Sequence, residues 1–131
     1  MRDIITPDAL FFFDRHPGAL SLYEALASRL LARYPGAQPR VQKTQISFYD
    51  GRMFACASLA AVLPKSRRPE PFLTVSFGLD GPVESPRLVA VPVRPNRWTH
   101  HAVIGSAAQI DDELLGWIDR AHALAAGRPE H

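Results

Sequence analysis

Asp50-Gly51 is the feature that most constrains this chain. It separates two extended runs, residues 40–49 and 52–59. Asp-Gly between such runs marks a β-hairpin, because the tight turn needs positive φ. With a two-residue loop, Tyr49 faces Arg52, Phe48 faces Met53 and Ser47 faces Phe54. Counting back sets Gln45 opposite Cys56 and Lys43 opposite Ser58. Side chains alternate between the two faces of a strand. Thr44, Ile46, Phe48, Met53, Ala55, Ala57 and Leu59 then form an apolar core face. Val41, Lys43, Gln45, Ser47, Tyr49, Phe54, Cys56 and Ser58 form a mixed one.

Proline and glycine punctuate the rest. Thr6-Pro7 opens a first helix, with Thr6 as the cap and Pro7 at the first helical position. Phe11, Phe12 and Phe13 follow in a row and cannot all share one face. Pro17 opens a second helix running to about Tyr34, with Leu20, Tyr23, Leu26, Ala27 and Leu30 at helical spacing. Pro35-Gly36 stops it. After the hairpin comes a basic, proline-rich loop over residues 64–71, into which no packed element fits. Residues 72–77 make a third strand. Residues 88–93 make an edge strand, since Pro92 cannot donate to a ladder. Residues 97–104 make the last strand, with Trp98, His100, Ala102 and Ile104 on one face and Arg97, Thr99, His101 and Val103 on the other. Ser106 and Gln109 suggest a capping box ahead of a final helix carrying Leu114, Trp117, Ile118 and Ala121.

This order predicts an α+β fold: a two-layer, largely antiparallel sheet of about five strands, with two N-terminal helices and one C-terminal helix on one face. A chain of 131 residues is read as one domain over residues 1–126, with a frayed tail at 127–131. The lone cysteine, Cys56, rules out an internal disulfide framework. A net charge of +2 does not point to nucleic acid. The apolar runs are too short to span a bilayer, and the N-terminus lacks a signal-peptide core. The expected location is the cytoplasm.

The chemistry-bearing residues gather on the mixed face. Lys43, Gln45, Arg97 and His101, if they point the same way, give a cationic, hydrogen-bonding surface suited to a carboxylate or phosphate. The plain alternative is the solvated face of a half-covered sheet. His100 and His101 point to opposite faces and cannot chelate one ion, so no metal site is expected. His100 reads as a hydrogen-bonded core residue. Cys56 is a candidate nucleophile with His101 as base, against its reading as a small buried hydrophobe. Lys65, Arg67 and Arg68, extended by Arg87, Arg94 and Arg97, could touch phosphates or form only a solvated loop. No cofactor motif is present.

Val-Gln-Lys-Thr-Gln-Ile-Ser-Phe at 41–48, Glu-Ser-Pro-Arg at 84–87, Asn-Arg-Trp-Thr-His-His at 96–101 and Ile-Asp-Asp-Glu-Leu at 110–114 together resemble a bacterial family of small domains of unknown function, distantly similar to α+β domains of YdhG type. The resemblance implies a compact α+β domain, with Lys43, Gln45, Arg97 and His101 as hallmarks and Ser85 and Arg87 as loop hallmarks. Three functions follow as expectations. The first is a binding module for a small anionic ligand or an acidic segment. The second is an interaction protein dimerising through the sheet face, burying Val41, Tyr49 and Phe54. The third is an enzyme using Cys56 or His101.

Overall fold

The computed structural model describes residues 4–127. Helix α1 (Pro7–Phe12) is capped by Thr6, whose hydroxyl accepts from the Ala9 amide at 3.2 Å. The three phenylalanines after it divide as their spacing requires: Phe11 is 83 % exposed, Phe12 half-buried and Phe13 buried. Phe13 packs on Tyr23 of α2 (Pro17–Arg33), and Tyr23 stacks on Phe48 of the sheet.

Six strands follow where five were expected: β1 (Gln38–Val41), β2 (Ile46–Asp50), β3 (Arg52–Ser58), β4 (Leu73–Leu79), β5 (Leu88–Arg94) and β6 (Arg97–Ile104). They form one sheet in the order β1-β2-β3-β4-β6-β5, antiparallel throughout. The extra strand arises because the run read as a single strand over residues 40–49 folds back on itself. Residues 42–45 make a turn closed by the Gln42 amide on the Gln45 carbonyl at 2.8 Å, and Val41 pairs with Ile46. Lys43, Thr44 and Gln45 therefore leave the sheet.

The Asp50-Gly51 turn is present, with Gly51 at φ 77, but the register is one residue off that of a two-residue loop: Asp50 pairs with Arg52 and Tyr49 with Met53. One residue further the register slips again, to Phe48 opposite Ala55, Ser47 opposite Cys56 and Ile46 opposite Ala57. Phe54 is the extra residue of a β-bulge. It is 3 % exposed and packs among Tyr34, Phe48 and His122, while Met53 is 46 % exposed. The alternation rule had these two residues the other way round. A bulge breaks the alternation, so Phe54 and Ala55 both face inward.

The inner face buries Ile46, Phe48, Ala57, Leu73, Val75, Phe77, Leu79, Ala102 and Ile104 against the helices. Helix α3 (Asp112–Ala125) lies under β3 and β4. It begins later than the Ser106 pattern suggested. Residues Ala107–Gln109 form a 3-10 turn, and Asp111 caps the helix by accepting from the Leu114 amide at 3.0 Å. Arg33 of α2 grips Asp119 of α3 at 2.5 Å, and the Tyr34 hydroxyl joins the same carboxylate. His122 reaches Asp50 at 2.7 Å and ties α3 to the hairpin.

The proline-rich loop is more ordered than expected. It contains a 3-10 turn, Lys65–Arg67, and its prolines sit on glycines: Pro69 over Gly105 and Pro71 over Gly18, where a Cβ would overlap the ring. Residues 128–131, most of the expected frayed tail, lie outside the described residues. Among the described residues no helix is long and apolar enough to cross a membrane.

The placement of Phe54 is directly measurable. Phe54→Ala should cost about 3–5 kcal/mol in denaturant unfolding, as for a buried aromatic. A loss below about 1 kcal/mol would return the ring to the outer face.

Candidate functional site

The outer face of the sheet carries no helix. Across its middle runs a row of residues in register: Ser47, Cys56, Ser76, His101 and Val89, one from each of five strands. At one end Ser47 donates to the Gln42 side chain at 2.6 Å, and Gln45 donates to Ser47 at 2.8 Å. The Gln45 amide also lies 3.9 Å from the Met53 sulfur. Gln45 thus spends its side chain closing the turn over the sheet. Further along, Ser76 Oγ lies 2.7 Å from His101 Nδ1 and hydrogen-bonds the Cys56 sulfur.

Cys56 and His101 are therefore linked, but only through Ser76. Burial pushes the Cys56 thiol above its ordinary value, against the hydrogen bond from Ser76. Burial also holds His101 below its ordinary value. Both groups are neutral near pH 7, the opposite of an activated thiolate–imidazolium pair. His100, on the inner face, is the core histidine the sequence suggested. Its Nε2 accepts from the Val83 amide at 3.0 Å, and Nδ1 lies 3.2 Å from the Trp98 carbonyl.

The six ligand-binding candidates do not form one patch. Lys43 sits exposed in the β1–β2 turn beside Phe11, Phe12 and Leu59. Ser85, Arg87 and His101 do meet, lining a cavity of about 430 Å³ with Arg67 and Gln109. Within it Ser85 accepts from the Arg87 amide at 3.1 Å, a local turn bond. The Arg87 guanidinium is already satisfied. It bonds Asp111 at 2.9 and 3.0 Å, Glu113 at 2.9 Å and the Gln109 carbonyl at 2.7 Å, and lies 5.8 Å from the Trp117 ring. Arg87 also holds the Asp111 carboxyl below its usual range. It fastens the start of β5 to the N-terminus of α3.

Arg97 lies elsewhere, at a split in the sheet. Strands β3 and β4 ladder over only three residues each, Cys56 with Ser76, Ala57 with Val75 and Ser58 with Thr74. Beyond Cys56 and Ser76 they carry no ladder, and residues 53–56 and 76–78 line a cavity of about 380 Å³ between them. Its far wall is the β5–β6 hairpin, with Arg94, Arg97, Trp98 and Thr99, and its floor is Ala121, Leu124 and Ala125 of α3. Arg94 and Arg97 are directly opposed across that hairpin. The Arg97 guanidinium bonds the Asn96 carbonyl at 2.6 Å, and no ion pair engages either arginine among the described residues.

The sequence marks Ser76 and Trp98 only as strand residues, and Arg94 only as part of a diffuse basic surface. The Arg94-Pro95-Asn96-Arg97 hairpin was the available signal, since Asn96 takes the positive φ of 62 that a tight turn needs. Among the described residues no cluster of His, Cys, Asp or Glu could hold a metal ion.

Two measurements check this geometry. Cys56 alkylation should still be accelerating above about pH 8.5, the ordinary thiol value, and a plateau below it would show an activated thiolate. His100 and His101 have lowered folded values, so the unfolded chain binds protons first on acidification. Their stabilisation is full above about pH 6.5 and is lost as pH falls below it. His101→Gln should shrink the fall in Tm between pH 7 and pH 5, and an undiminished fall would contradict the buried, neutral imidazole.

No curated protein matches the chain. No solved structure matches it either. A family model does, over residues 11–125, which takes in all six strands, α2 and α3. The chain belongs to the family described as Domain of unknown function (DUF5655).

Proposed function

We propose that the chain is a binding module for a small organic anion, held where β3 and β4 part. The observation that carries this is the Arg94–Arg97 pair. Like charges directly opposite on neighbouring strands destabilise a sheet. Here two arginines are register partners across a hairpin, both line one cavity, and they are the sole charged residues among its described lining. Two planar forks at one rim suit a carboxylate or phosphate, which would relieve their repulsion and accept their hydrogen bonds.

The other cations suit the role less well. Arg87 is occupied by two carboxylates, and Lys43 stands in an exposed turn beside a different cavity. A dimer through Val41, Tyr49 and Phe54 has lost its central residue, because Phe54 is buried in its own core. Tyr49 is also covered, with the Arg40 guanidinium 4.1 Å from its ring. A second reading, thiol chemistry at Cys56, draws on the Cys56–Ser76–His101 row, and the raised thiol value places it second.

A thermal-shift screen of organic anions tests the proposal. A ligand at about 100 times its Kd should add about 2.7 kcal/mol of stability. The double substitution Arg94→Ala/Arg97→Ala should abolish the shift, and Lys43→Ala should leave it intact. A shift that survives loss of both arginines would sink the reading.

A further inference from the structure

We infer that the anion carries an apolar body, and that the ligand is an aliphatic or aromatic carboxylate whose tail enters the split between β3 and β4; this rests on the anion-binding reading above. The split begins where the ladder ends. Extending the register past Cys56 and Ser76 would pair Ala55 with Phe77 and Phe54 with Gly78, and neither pair forms. The bulge at Phe54 supplies the cause, since a bulged strand bends and twists away from its neighbour.

Behind the arginine rim the cavity is apolar. Phe77, Trp98, Leu124 and Ala125 line it, and the exposed Met53 stands at its edge. Leu124 and Ala125 are only half-buried. A tail in the split would cover them. The polar side chains within reach are few. Ser76 is already engaged by His101 and Cys56, which leaves Thr99 and the Trp98 indole N–H. A nucleobase or sugar would find few side-chain partners there, whereas a hydrocarbon tail brings no polar atom of its own. The volume of about 380 Å³ falls at the small end of ligand cavities, so the tail is short. Gly78 keeps the opening clear: a Cβ there would meet nothing nearer than the Trp98 carbonyl oxygen at 4.0 Å.

The test is calorimetric titration of the intact chain with straight-chain carboxylates from acetate to octanoate, and with 1-octanol. Affinity should rise roughly three- to fourfold per added methylene until the tail fills the split, following the transfer free energy of a methylene. Gly78→Leu places a side chain at the opening with backbone space to spare. It should remove the dependence on length while acetate binding persists. Circular dichroism and Tm confirm that this variant folds. Carboxylate binding that ignores tail length overturns the apolar-tail inference and leaves the anion site standing. Length dependence that persists in Gly78→Leu places the tail elsewhere and overturns it as well. If octanol matches octanoate, both readings fall; if no carboxylate binds, the apolar-carboxylate inference falls and the arginine pair is left to phosphates.

Discussion

The Phe54 ring, packed between Tyr34 of the α2 C-terminus, Phe48 of β2 and His122 of α3, is the contact on which the outer face depends. To place that ring inward beside Ala55, β3 takes one residue more than β2 can match. The resulting bulge sends Met53 outward and bends the near half of β3. Around the same ring, His122 reaches Asp50, and Tyr34 and Arg33 share Asp119, so α2, α3 and the hairpin turn lock at one corner. Burial of a large aromatic ring favours this arrangement over an uninterrupted ladder. The missing β3–β4 pairs are its consequence.

The polar groups of the outer face then separate into those engaged in holding the fold and those left over. Gln42, Gln45 and Ser47 close the β1–β2 turn onto the sheet. Thr74 donates to the Ala60 carbonyl and pins the chain that crosses after β3. Arg87 joins β5 to α3 through Asp111 and Glu113. Ser76 joins Cys56 to His101 in a neutral row. Arg94 and Arg97 are different in kind: a facing pair of like charges beside an apolar split. Structural economy alone does not explain that pair; the anion proposed for the split would neutralise it.

Much of this fold is legible in the sequence because local chemistry sets it. Thr6-Pro7 starts α1, Pro17 starts α2, Pro92 lies in an edge strand, and β6 spans Arg97–Ile104 with the faces its alternation indicates. What the pattern missed was set by tertiary contacts. Val41, Thr44 and Ile46 read as continuous strand, yet the polar run between Val41 and Ile46 turns back to make β1, carrying Lys43 and Gln45 off the sheet. The faces of Met53 and Phe54 inverted because side-chain parity holds only where no residue is inserted, and nothing in Arg-Met-Phe-Ala announces a bulge. Of the expected site residues, Arg97 lies at the split, Ser85, Arg87 and His101 share a neighbouring cavity, and Lys43 and Gln45 belong to the turn. Ser76 and Arg94 become visible as candidate site residues only once the register is known.

The split exists only if β3 and β4 part company after Cys56 and Ser76. Nuclear Overhauser contacts between backbone protons of the two strands in solution test it most directly. Cross-strand contacts are expected for the Ser58–Thr74, Ala57–Val75 and Cys56–Ser76 pairs, and none for Ala55–Phe77 or Phe54–Gly78. Contacts continuing through those last two pairs would mean a closed sheet with no split and no room for a ligand there.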